Sequence, residues 1–120
     1  MIIAFATEEK RGLNSVLSQH FGKAPYYVFV KVENGEVKDV VEKESPFSQG
    51  HAPGEVPRFV HENGATVIVS GGMGQRALEN FKTLGVTPVV GVEGKVRDIL
   101  SDFLSGKLKD YSGRPCNQGC

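Results

Sequence analysis

Neither charge is in surplus: the 120 residues include 14 Lys and Arg against 14 Asp and Glu. The balance also holds locally, with 7 basic and 8 acidic side chains in residues 1–60 and 7 and 6 in residues 61–120. Nucleic acids are bound by clustered cations that neutralise phosphates, so a general DNA or RNA partner is not expected. Long apolar runs are missing too. None approaches the roughly 20 residues that cross a bilayer, and no basic-then-apolar leader with a cleavage site opens the chain, so a cytoplasmic protein without a membrane partner is expected. Internal repeats, low-complexity tracts and polar linkers are absent, and the length suits one domain of roughly 100–150 residues. Cysteine is confined to Cys116 and Cys120. In a reducing compartment such a pair is no staple for the fold.

Glycine is abundant, at 15 of 120 residues against an average share of about 7%. With no collagen period, the excess belongs in turns and backbone-defined loops. The apolar run Ile2-Ile3-Ala4-Phe5-Ala6 reads as a strand buried on both faces. Residues 26–33 are aromatic and β-branched, and Asn34-Gly35 supplies a two-residue hairpin turn into residues 36–44. Lys38, Asp39, Glu42 and Lys43 give that second arm the charge load of an edge strand that rejects neighbours. A turn-rich loop over 45–54 leads to a helix from about Glu55 to Glu62, with Pro57 in its first turn and Asn63-Gly64 as its stop. A buried strand over 65–69 follows, then Ser70-Gly71-Gly72-Met73-Gly74 opens a second helix that ends before Gly85. Residues 86–90 form a short strand near an edge because Pro88 interrupts it. Val96, Ile99, Leu100, Phe103 and Leu104 lie on one stripe of a last helix ended by Gly106.

The order is therefore β-β-β-α-β-α-β-α, an α/β fold. If sequential strands pair, strand two is antiparallel to strand one, strand three returns parallel to it, and the helical crossovers keep strands four and five parallel as well. Glu8, His20, His51, Gly71, Gly72, Gly74 and Gly91 then share one rim, at the carboxyl ends of the parallel strands where open α/β sheets bind ligands. Residues 1–106 form the single domain and 107–120 a flexible polar tail with a C-x-x-x-C. The last helix runs away from the rim, but a 14-residue tail spans up to about 45 Å when fully extended, long enough to reach it.

The Gly71-Gly72-Met73-Gly74 turn between a strand and a helix has two readings: a tight turn that needs glycine, or a backbone that a ligand approaches closely beside free helix N–H groups. No Lys-Ser/Thr pair follows and the G-x-G-x-x-G spacing is absent, which disfavours ATP and NAD. His20-Phe21-Gly22 offers an imidazole to a metal or an acidic ligand, or is a loop histidine satisfied by carbonyls. His61, on a helix, reads as a solvated face residue. Cys116 and Cys120 are soft ligands suited to iron, zinc or iron–sulfur species, but two thiolates do not complete a tetrahedral site; His20 and His51 are candidates for the remainder. A redox pair or an inert tail are the other readings of the cysteines. No serine–histidine–acid arrangement or buried acid pair is visible, and strand one lacks the carboxylate of two-metal nuclease chemistry.

With His20-Phe21-Gly22-Lys23-Ala24-Pro25-Tyr26-Tyr27 and Gly71-Gly72-Met73-Gly74-Gln75-Arg76-Ala77 in place, the chain resembles the dinitrogenase iron-molybdenum cofactor biosynthesis family, the NifX/NafY-like group also fused to NifB-type proteins. The resemblance spans about residues 1–105. It implies a ribonuclease H-like fold with a mixed five-stranded sheet flanked by helices. It also implies a non-enzymatic carrier of an iron–sulfur or iron-molybdenum-type cluster, whose partners are the cluster's donor and acceptor proteins. His20 falls on the family's cluster-ligand position. Gly22, Gly71, Gly72 and Gly74 would face the cargo, and Arg76 would contact it if anionic. The cysteine tail lies outside the shared motifs. A small-anion binding or regulatory module using the glycine turn is the alternative function, and a thiol redox protein the weaker one.

Overall fold

A computed structural model describes residues 1–46 and 54–105. Its strands are β1 (Ile2–Thr7), β2 (Tyr26–Glu33), β3 (Glu36–Glu44), β4 (Val67–Val69) and β5 (Thr87–Val89); its helices are α1 (Glu55–Glu62), α2 (Gln75–Leu84) and α3 (Val96–Leu104). The spatial order is β3-β2-β1-β4-β5. β1–β2 and β2–β3 pair antiparallel, β1–β4 and β4–β5 parallel, so the sheet is mixed as the element order predicts.

β1 is the central strand, and its lack of polar alternation follows from burial on both faces. Ala4 and Ala6 pack on one side of the sheet with Val56 and Val60 of α1 and Leu78 and Phe81 of α2. Ile3 and Phe5 pack on the other with Val96, Ile99 and Leu100 of α3. The stripe of α3 ends early: Leu104, expected inside, is 38% exposed. At the hairpin both Asn34 (φ 53°) and Gly35 (φ 77°) are left-handed, the backbone that a two-residue turn between twisted strands demands. The expected strand over 86–90 starts one residue late because the Val86 amide donates to the Phe81 carbonyl at 2.9 Å, closing α2 instead of joining the ladder. Ala65 and Thr66 likewise precede the three-residue β4.

Two features were not foreseen. Short 3-10 turns occupy Gly12–Asn14 and Phe21–Lys23. Between them the chain makes single bridges, Thr7 to Leu17 and Val16 to Lys95, which stitch residues 15–18 across the carboxyl ends of the sheet.

Candidate functional site

Strand ends leave backbone groups unpaired, and at the carboxyl edge of β1 and β4 these groups bond to one another across loops. The Leu17 amide reaches the Gly94 carbonyl at 2.8 Å, and the Ser18 amide reaches Ala6 at 2.8 Å. One step on, the Gly71 amide donates to the Ser18 carbonyl at 2.8 Å and the Phe21 amide to the Gly72 carbonyl at 3.0 Å. The Gly91 amide donates to Gly71 at 3.0 Å. The His-Phe-Gly segment and the glycine turn are therefore joined directly, although far apart in sequence.

Two buried serines lock the joint. Ser70 Oγ donates to the Gly72 carbonyl at 2.9 Å and lies 3.3 Å from that of Ser18. Ser18 Oγ accepts from the His20 amide at 3.2 Å and donates to the His20 carbonyl at 3.1 Å. A buried hydroxyl without partners is costly, so these bonds fix the loops as well as satisfying the side chains. Sequence reasoning passed over both residues, because a serine at a strand end looks the same whether it faces water or a neighbouring carbonyl.

Phe21 and His20 divide the labour of their motif. Phe21 is 3% exposed and packs edge-to-face on Tyr27 and Phe81, at ring-centroid distances of 5.9 and 5.2 Å. His20 and Gly22 on either side are exposed. Beneath them the Tyr27 hydroxyl donates to the Phe21 carbonyl at 3.0 Å, and burial pushes its phenol above the ordinary value. A phenol harder to ionise when folded contributes stability that is complete below about pH 10 and is lost as pH rises beyond it. Tyr27→Phe leaves a carbonyl that still accepts from the Ala24 amide at 3.3 Å. A loss of about 1 kcal/mol at neutral pH is expected. In urea melts, the alkaline fall in stability of the wild type should be visibly smaller in the variant.

Met73 is fully buried in the core on the α1–α2 side, so the turn is anchored from within. Neither Gly71, Gly72 nor Gly74 is among the glycines with left-handed backbone, and Gly74 sits at φ −72° and ψ 162°, open to any residue. Turn conformation does not require these glycines, and a Cβ at Gly71 would meet only the terminal amide of the exposed Gln19 side chain, which can swing aside. Gly74 provides no side-chain cap for α2. Gln75 bonds outward along its own helix to Glu79 at 3.1 Å, and Arg76 is exposed on the first turn.

The exposed imidazole borders an open cleft of about 610 Å³ lined also by Glu8, Val16, Leu17, Gln19, Glu93 and Gly94. Glu8 was expected on this rim, as was the loop after β5 through Gly91; that Glu93 and Gly94 of this loop form a wall beside His20 follows from the bridge to residues 15–17. His51, Cys116 and Cys120 lie outside the described residues. Among the described residues no group of three or more His, Cys, Asp or Glu side chains is placed to hold a metal ion. His61 is exposed on α1, as expected. No helix among the described residues is long and apolar enough to cross a membrane.

The model of the dinitrogenase iron-molybdenum cofactor family matches residues 1–106. An uncharacterized protein of Methanocaldococcus jannaschii is 30% identical over 100 residues, covering 82% of this chain and 85% of its own. The crystal structure of PH0822 is 41% identical, covers 91% of this chain and 95% of its own, and superposes with a TM-score of 0.83. The NMR structure of a Thermotoga protein provisionally assigned as NifB is 25% identical, with 97% coverage of both chains and a TM-score of 0.73. The apo orange protein of Desulfovibrio gigas shares the fold at 22% identity, covering 94% of this chain and 96% of its own, with a TM-score of 0.77.

Proposed function

The chain belongs to the dinitrogenase iron-molybdenum cofactor family, and from that membership we propose that it is a non-catalytic carrier that holds an iron–sulfur or iron-molybdenum-type cluster between donor and acceptor proteins. The observation that carries the reading is the pair of backbone bonds between residues 18–21 and 71–72, which present an exposed imidazole beside glycines that turn geometry does not require. His20 Nε2 or Nδ1 would donate its lone pair to a metal of the cargo. Gly22, Gly71 and Gly74, exposed or half-buried, would let the cargo approach the backbone, whereas Gly72 is buried with its carbonyl bonded to Phe21 and Ser70 and acts as an anchor of the loop instead. An open cleft suits cargo that must leave again, since an enclosed site would retain it.

Three ligands named from the sequence, His51, Cys116 and Cys120, are proposed as reinforcements delivered by segments outside the described residues. In this reading residues 1–106 are the carrier domain and 107–120 an accessory tail. Anaerobic reconstitution with iron and sulfide, read by metal analysis and visible absorption, tests the proposal; protein that returns metal-free under every condition would overturn it.

A small-anion module is the second reading, favoured by the uncapped first turn of α2 next to Arg76. The cleft itself opposes it, because its two other ionisable side chains are the carboxylates Glu8 and Glu93. A thermal-shift panel of phosphates and nucleotides separates the two readings: stabilisation that grows with phosphate concentration would favour the anion module.

A further inference from the structure

Edge strands that carry charges and a bulge ordinarily refuse new neighbours. β3 has both, with a register shift opposite Lys31 and Val32, and it is exposed along nearly all of its nine residues. The order of its charges, however, is self-complementary. We propose that β3 is a homodimer interface, pairing antiparallel with β3 of a second copy about a two-fold axis through Val41.

Backbone parity sets which registers are possible. The Ser45 amide donates to the Pro25 carbonyl at 2.9 Å, which makes Tyr26 and Glu44 a non-hydrogen-bonded pair of the β2–β3 ladder. Counting back by twos, Val40, Glu42 and Glu44 direct their own amides and carbonyls to the open side. An axis through Val41 sets Val40 against Glu42 of the second copy, so the outward groups of both strands meet. Asp39 then faces Lys43, and the regular count stops at Lys38, the extra residue of the bulge. Each contact occurs twice by symmetry, and no like charges are opposed. The neighbouring registers do worse: centring on Val40 sets Asp39 against Val41 and loses the Asp39–Lys43 pair, centring on Glu42 sets that carboxylate against itself, and centring on Asp39 does the same there.

The apolar surface follows the same register. Val41, 41% exposed, is paired with Phe29 of β2, which is paired with Ala4 of β1. Val41, Phe29, Asp39 and Lys43 line an open groove of about 200 Å³. At the two-fold, Val41 meets Val41 as a non-hydrogen-bonded pair, the type with the closer side chains, and the row Ala4–Phe29–Val41 continues into its copy. The result is a ten-stranded sheet. Its two His20 clefts lie at opposite ends, because the strands of the two copies run antiparallel.

Sedimentation equilibrium of the full chain from micromolar to millimolar concentration tests this. The wild type is expected to reach twice its 13.0 kDa mass. Asp39→Lys and, separately, Lys43→Asp set like charges together, and each is expected to raise the dissociation constant at least tenfold. The double variant Asp39→Lys/Lys43→Asp restores complementarity and should restore the dimer, with circular dichroism confirming the fold of each protein. A wild type that stays monomeric throughout overturns the proposal. A dimer indifferent to both single substitutions also overturns it, since that dimer would use another surface.

Discussion

His20→Ala is expected to weaken cluster binding at least tenfold, about 1.4 kcal/mol or more, while leaving the fold intact. The split follows from exposure: the imidazole projects from a segment whose backbone is held by Ser18 and Gly72, and those bonds do not involve the ring. Exposed side chains away from caps and networks usually change stability by less than about 0.5 kcal/mol. Anaerobic titration of metal-free protein with cluster, followed by visible absorption, gives the affinity; a urea melt gives the stability. Unchanged affinity would remove His20 as a ligand, and the carrier reading would then rest on the segments that bear His51, Cys116 and Cys120.

Phe21→Ala should do the reverse, costing roughly 3–5 kcal/mol of stability, the usual loss for a fully buried phenylalanine. Domains of this size are stable by only about 5–15 kcal/mol, so the loss is a large part of the total. Phe21 sits between Tyr27 and Phe81, and Tyr27 in turn packs on Phe59 at 5.6 Å, so its removal opens a cavity where β2, α1 and α2 converge. Thermal melting should fall by roughly 10–20 °C. Phe21→Leu keeps most of the volume and should cost less than about 1.5 kcal/mol, leaving enough folded protein to ask whether cargo affinity follows the packing beneath His20. A fall of only one or two degrees for Phe21→Ala would mean that the aromatic cluster does not hold the loop.

These two neighbouring residues show where the sequence was informative. Phe21 and His20 were recognisable together as a motif, but not that one is a core anchor and the other an exposed side chain, because a 3-10 turn has no long periodicity from which to read inside and outside. The elements themselves were legible. β1, the hairpin, α1, α2 and α3 each carry a periodicity, a turn pair or a stop signal within a few residues, and local physics is sufficient for these. The mixed sheet followed from their order alone, because short hairpins reverse a strand and helical crossovers do not.

The sequence by itself thus determined the fold class, the edge position of β3 and β5, and the convergence of Glu8, His20 and the Gly71–Gly74 turn on one rim. Only the tertiary structure decided how that rim is held. The Ser70 hydroxyl and the Gly71 amide reach the Ser18 carbonyl, and the Phe21 amide reaches Gly72, between loops far apart in sequence, while the bridge from residues 15–17 fixes the loop after β5 as a wall of the cleft. Such contacts leave no periodic trace: a hydrogen bond between loops depends on where two backbones end in space, and side-chain identity at one end says little about the other.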